Sequence, residues 1–253
     1  MRPLHVHGRA LPMPAVCIPL VARQADALRA EAAAAGARGP DLLEWRVDFF
    51  DGIGRTAEVV ALAAELRRLS GRLPLLFTRR SVREGGQPIP LDEAQVLALV
   101  HAVAAAGAAD LVDIEMASDP VHIAAARDAC RAQGLGLVLS FHDFDRTPPA
   151  AELLERFRLA HRLGADLAKV AVMPRRKRDV LALLEATLQA SEELPIAVAG
   201  MSMGALGAVS RLAGGEFGSA LTFAVGQAAS APGQMPVDGL RAALAVLRRG
   251  SAG

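Results

Sequence analysis

The chain contains no tyrosine and a single tryptophan, and aromatic residues make up only 4% of its 253 positions. A phenolic acid is therefore unavailable to whatever chemistry it performs, and its core must be built mainly from aliphatic side chains. Cysteine is almost as scarce: Cys17 and Cys130 lie far apart, in neither CxxC nor metal-ligand spacing. That argues against a disulfide scaffold and a zinc site and leads us to expect a reducing, cytoplasmic setting. Neither sign of charge is in excess, with 28 basic against 27 acidic residues and a net charge of +1. Such a chain has no global field to draw it to nucleic acid or an anionic membrane, and the basic run Arg175 to Arg178 reads as a solvated helix start. The beginning of the chain lacks a secretory pattern, and the apolar stretch from Val96 to Ala109 is interrupted by His101. Neither export nor a membrane span is expected.

Lysine is the scarcest charged residue. Only Lys169 and Lys177 occur among the 28 basic positions, so a generic cation in this chain is arginine. Lys169 stands inside an apolar run, Asp166-Leu-Ala-Lys-Val-Ala-Val-Met173. An ammonium that loses its proton can attack a carbonyl and form an imine, whereas a guanidinium stays charged and is a poor nucleophile. Lys169 is thus a candidate Schiff-base residue. The alternative is a lysine that snorkels from a strand end or pairs with a buried carboxylate.

Hydrophobic residues, at 52%, are plentiful, and the length suits one α/β barrel or two small domains. Short Leu- and Val-rich runs alternate with longer segments of helical period. We expect strands at Ala15–Val21, Leu42–Val47, Leu73–Thr78, Leu111–Glu115, Gly136–Ser140, Leu167–Val172, Ile196–Gly200 and Ala220–Val225. Helices are expected near Ala25–Ala35, Ala57–Leu69, Asp92–Ala106, Pro120–Ala132, Ala150–Leu163, Arg178–Ala190, Ala205–Leu212 and Val237–Arg248. Eight βα units favour a (β/α)8 TIM barrel, and an open doubly wound sheet is second because no GxGxxG follows the first strand. No linker divides the chain, so residues 1–253 are expected to form one catalytic domain with an irregular lead-in over residues 1–12.

Side chains alternate faces along a strand, so Glu44, Arg46 and Asp48 in Leu42-Leu-Glu-Trp-Arg-Val-Asp48 share one face. In a parallel barrel both faces are covered, and inward charges are expensive unless they serve a site. Asp113 and Glu115 repeat the pattern on the fourth strand, and the third runs through Thr78 and Arg80 to Glu84-Gly-Gly86, whose glycines allow a tight turn or a close approach to a ligand. The fifth strand ends beside His142, next to the strand of Lys169, at the barrel end where catalytic groups collect. The small-residue loop from Gly200 leads to Arg211; its free amides and that guanidinium are candidates to hold an anion. The stretch from Gln227 to Gln234, with Ser230, suits a mobile lid.

With these motifs in order, the chain resembles the type I 3-dehydroquinate dehydratases over nearly its whole length. The motifs are Glu44-Trp-Arg-Val-Asp48, Thr78-Arg-Arg80 with Glu84-Gly-Gly86, Asp113-Ile-Glu115, Ser140-Phe-His-Asp143, Lys169-Val-Ala-Val-Met-Pro174, Met203 to Arg211, and the loop ending at Gln234. The resemblance implies a cofactor-free and metal-free barrel, usually a homodimer, whose small-molecule substrate is 3-dehydroquinate and whose product is 3-dehydroshikimate. It makes Lys169 the imine-forming lysine, His142 the general acid and base, and Glu84 the group that orients or tunes His142. It assigns substrate contacts to Glu44, Arg46, Arg80, Arg211, Ser230 and Gln234, with Arg211 facing the carboxylate. Attack requires a neutral lysine, and Arg46, Arg80 and Arg211 are expected to disfavour the ammonium. The chain departs from the family at Phe141, where a polar side chain usually precedes the histidine, and the change is expected to alter how His142 is held. An aldolase would share barrel and lysine but would need a substrate-phosphate site, a non-catalytic barrel would be expected to lose Lys169 or His142, and a metal hydrolase lacks its HxH or HExxH.

Overall fold

The computed structural model describes residues 1–228 and 230–250. Ala229, inside the expected lid, and positions 251–253, at the end of the expected domain, lie outside the described residues. The segment expected to be irregular instead begins with an antiparallel hairpin, β1 (His5–Val6) and β2 (Arg9–Ala10). It escapes a reading by periodicity because two-residue strands carry no period.

Eight parallel strands follow: β3 (Ala15–Leu20), β4 (Leu42–Arg46), β5 (Leu75–Thr78), β6 (Leu111–Glu115), β7 (Gly136–Asp143), β8 (Leu167–Val172), β9 (Ala197–Ser202) and β10 (Leu221–Val225). They are hydrogen-bonded in chain order from β3 to β9, with β10 beside β3. Closure between β9 and β10 rests on a bridge from Val198 to Ser219 and on the Gly200 amide, which donates to Ser219 Oγ at 3.2 Å. The fold is a (β/α)8 barrel. A short β11 (Met235–Pro236) adds to β10 after the expected lid. The helices are α1 (Ala25–Ala37), α2 (Thr56–Leu69), α3 (Glu93–Ala105), α4 (Pro120–Gln133), α5 (Ala150–Arg162), α6 (Lys177–Glu193), α7 (Ala208–Ala213) and α8 (Val237–Gly250). None of the described helices is long and apolar enough to cross a membrane.

Alternation along the strands separates two cores. The outward residues Leu43, Trp45, Phe77, Val112, Leu139 and Val170 pack against the helix layer. Trp45 meets Phe50 and Phe77 edge to face, at centroid distances of 5.8 and 5.7 Å. The inward residues Leu42, Leu76, Leu111, Val138 and Leu167 fill the N-terminal half of the barrel, and Leu4, Val6 and Leu11 around the hairpin plug its floor. Toward the C-terminal end the same inward positions turn polar: Glu44 and Arg46, Thr78, Asp113 and Glu115, Ser140 and His142, and Lys169. A sealed apolar floor beneath a charged upper half is what positions the site.

Candidate active site

A buried cation has to be paired if it is to stay charged. Lys169 Nζ lies 3.3 Å from Asp113 Oδ2 and 3.5 Å from Glu44 Oε1, and 4.5 Å above the centroid of the Phe223 ring. The charges closest to it are thus carboxylates; Arg46, Arg80 and Arg211 line the same cavity, and two of those arginines are already engaged. Arg46 forks onto Asp48 with two bonds of 2.8 Å. Arg80 reaches Asp113 Oδ1 at 2.8 Å, Ser140 Oγ at 2.8 Å, Glu115 at 3.3 Å and Glu84 at 3.5 Å. Burial would raise the Asp113 carboxyl, but Arg80 and Lys169 outweigh it and hold Asp113 below the usual carboxylate range.

The fifth barrel strand runs past its expected end at Ser140, because its ladder with β8 continues through His142 opposite Ala171 and Asp143 opposite Val172. His142 is therefore anchored in the sheet. Its Nδ1 lies 2.8 Å from Glu84 Oε2. Burial, reinforced by Arg80, Lys169 and Arg46, drives the imidazole well below its ordinary pKa and so keeps it neutral. Burial, then the charge of Glu115, pushes the Glu84 carboxyl up to about 8. Phe141 points the other way, under the Arg156 guanidinium 4.6 Å from its ring centroid. Phe141 therefore lies on the helix side of the sheet, away from the bond between His142 and Glu84.

Arg211 differs from the other two arginines. It is buried, its Nη2 donates to the Pro232 carbonyl at 3.0 Å, and its Nε has no partner. Among the described residues no carboxylate lies within ion-pair distance of it, and uncompensated burial lowers its pKa to about 10. In the loop that delivers it three amides are already engaged: Gly204 donates to Pro232, Gly207 to Gly204 and Ala208 to Ala205. The glycine pair at 85 and 86 also serves the protein itself. A Cβ on Gly85 would meet the Phe144 ring, and one on Gly86 would meet the Arg80 carbonyl.

The segment after β10 roofs the site. Ser230 and Gln234 bond reciprocally, the Ser230 amide to Gln234 Oε1 at 2.9 Å and Gln234 Nε2 to Ser230 Oγ at 3.0 Å. The Ser230 carbonyl accepts from Arg46 at 3.4 Å. Beneath it lies an open cleft, lined by Glu44, Arg46, Arg80, Glu84, His142, Lys169, Arg211, Ser230 and Gln234 together. Phe144, Met201, Met203 and Phe223 also line it and were not foreseen as site residues. Counting by twos from His142 and along the last two strands would have found them. Among the described residues, no group of three or more His, Cys, Asp or Glu is placed to hold a metal ion.

A sequence model of the family described as type I 3-dehydroquinase matches residues 16–251. The 3-dehydroquinate dehydratase of Albidiferax ferrireducens is 50% identical over 251 residues, 98% of this chain and 95% of the relative. The crystal structure of 3-dehydroquinate dehydratase from Geobacillus kaustophilus superposes with a TM-score of 0.94 at 48% identity, covering 96% of this chain and 95% of that one. The type I 3-dehydroquinate dehydratase of Clostridium difficile, with covalently modified comenic acid, gives 0.93 at 34% identity over 98% of both chains.

Proposed function

The chain belongs to the type I 3-dehydroquinase family, and from that premise we propose that it is a hydro-lyase converting 3-dehydroquinate to 3-dehydroshikimate through an imine on Lys169. The observation that carries this reading is one cavity holding an ion-paired lysine, a carboxyl-histidine pair and a buried guanidinium that meets no carboxylate among the described residues. The substrate carboxylate is the partner assigned to Arg211. Glu44, Arg46, Ser230 and Gln234 offer hydrogen bonds to the ring hydroxyls. Arg80, whose Nη atoms are turned to carboxylates, borders the substrate rather than carrying its charge.

Once Lys169 gives up its proton, its lone pair attacks the ketone, and loss of water leaves an iminium. The iminium withdraws electrons from the adjacent C–H bond, and His142 takes the proton through Nε2 as an enamine forms. The proton then passes from His142 to the β-hydroxyl, which leaves as water while the iminium re-forms. Hydrolysis releases the product and restores the lysine. The imidazole suits both transfers because Glu84 grips its other nitrogen. No cofactor enters any step. The same reaction serves aromatic biosynthesis and quinate breakdown.

We also propose a cytoplasmic homodimer. Exposed Leu206 and Val209 at α7 and Val246 on α8 support self-association, and light scattering after size exclusion tests it.

Borohydride reduces an imine to a stable amine. Incubation with 3-dehydroquinate and borohydride is expected to leave a substrate-sized adduct on the peptide carrying Lys169, read by mass spectrometry. Turnover with no adduct at Lys169 would remove the imine from the mechanism.

A further inference from the structure

We propose that Asp48 is a positioning residue: it fixes which edge of Arg46 faces the cleft, and it clamps both ends of the loop that presents Glu84 to His142. The inference rests on the dehydratase reading above and adds a residue to which that reading gives no part.

Asp48 follows β4 in a short 3-10 turn, Val47–Phe49, and its side chain is fully buried. A carboxylate offers about four lone-pair positions and no hydrogen to give. Here four donors meet them. Oδ1 accepts Arg46 Nε at 2.8 Å and the Arg80 amide at 3.2 Å, while Oδ2 accepts Arg46 Nη2 at 2.8 Å and the Gln87 amide at 3.1 Å. With Nε and Nη2 both held, Arg46 turns Nη1 toward the cleft, where it donates to the Ser230 carbonyl of the roof at 3.4 Å. A long, flexible side chain is thereby reduced to one presented edge before substrate arrives, and little rotamer freedom remains to be lost on binding.

The two amides come from opposite ends of one loop. Between Arg80 and Gln87 the chain makes a second 3-10 turn, Val82–Glu84, and the Ser81 carbonyl accepts the amides of Glu84 at 3.0 Å and Gly86 at 2.7 Å. Gly86 lies against the Arg80 carbonyl with no room for a Cβ, so the loop doubles back tightly and its ends meet at Asp48. From β6, Glu115 accepts the Ser81 amide at 2.7 Å and so steadies the start of the loop, whereas Asp48 holds both ends. What the loop carries is Glu84, whose Oε2 lies 2.8 Å from His142 Nδ1. An asparagine at this position has one oxygen, and its NH2 group would face two donors, so one end of the loop and one arm of Arg46 would be released together. A displacement of about 1 Å passed on to the Glu84–His142 bond is enough to cost about 100-fold in rate.

The test is steady-state turnover of 3-dehydroquinate by D48N, with competent sites counted by borohydride trapping on Lys169. We expect as many trappable sites as in the native protein, kcat per site lowered by about 10- to 100-fold through the Glu84–His142 pair, and KM raised through Arg46. A merely structural role would reduce the number of trappable sites and leave kcat and KM per site at native values; that result overturns the proposal, and so does a folded D48N that traps no substrate. The route through Glu84 is read by placing D48N in an E84A background. There it should cost less than about 3-fold in kcat, and a full additive loss overturns the proposal. If D48N does not fold, hydrogen exchange of the native protein decides: the Arg80 and Gln87 amides are expected to be protected and to open together, and a Gln87 amide that exchanges at the unprotected rate overturns the clamp. Failure of the native enzyme to turn over 3-dehydroquinate would instead sink the dehydratase reading and leave the exchange result standing, so the two failures are distinguishable.

Discussion

Arg211 is the residue whose energetics most directly express the site. Its guanidinium is buried, makes one hydrogen bond to a carbonyl, leaves Nε unpartnered and meets no carboxylate among the described residues. A carboxylate arriving there gains a desolvated, charge-assisted contact, whereas Arg46 is already saturated by Asp48. Arg211→Ala should therefore weaken use of 3-dehydroquinate by about 100-fold in kcat/KM, mostly through KM, since truncating one partner of a buried charge pair costs about 2–5 kcal/mol. Steady-state kinetics checks this; an unchanged KM would remove Arg211 as the carboxylate partner. His142 acts in proton transfer and not in bond formation to Lys169. His142→Ala is accordingly expected to lower kcat by about 10² to 10⁴-fold while borohydride still traps substrate on Lys169, so that rate and adduct separate. Loss of both together would mean that His142 also serves imine formation.

At the scale of elements, the strand alternation was legible because its period is two and its interior is charged only at one end. Glu44, Arg46, Asp113 and Glu115 read as inward from spacing alone, whereas the outward facing of Phe141 was not drawn from it. What spacing cannot give is which charge meets which, since Lys169 finds Asp113 two strands away through the barrel interior. The hairpin was illegible for lack of length, and the continuation of β7 because Phe-His-Asp has no strong strand preference of its own and is held by pairing with β8. One repeated device was also missed. Asp41, Asp110 and Asp166 each stand immediately before a strand and accept, at 2.8 Å, an amide from the strand before it: Val16, Leu75 and Leu137. Asp110 in addition holds Arg67 and the hairpin residue His7. Asp110→Ala leaves the buried Leu75 amide unpaired and frees the floor, so we expect a loss of about 2–3 kcal/mol in urea unfolding with the fold retained. A loss below about 0.5 kcal/mol would show that water replaces the carboxylate at no cost.

Across the whole molecule, the site sets how stability depends on pH. Glu84 in the folded protein is raised from 4.5 to about 8, so between those values the native state keeps a proton that the unfolded chain releases. Stability from this group is full below pH 4.5 and declines by about 1.4 kcal/mol per pH unit until the folded carboxyl ionises near pH 8. His142 has the opposite slope. Its folded pKa lies well below 6.5, so below that pH the unfolded chain takes up a proton that the native state refuses, and stability rises with pH up to about 6.5. Below about pH 6.5 the two groups pull stability in opposite directions, and between about 6.5 and 8 only the decline from Glu84 remains. Glu84→Gln keeps the shape of the side chain and cannot ionise, so it should flatten that decline. Its stability relative to the native protein should increase between pH 6.5 and 8 and level off above, at the cost of the grip on His142 and hence of kcat. Urea midpoints for both proteins at half-unit steps give the difference free of every other titrating group. A constant difference across this window would mean that the native Glu84 is already ionised at neutral pH, and that burial does not hold its proton.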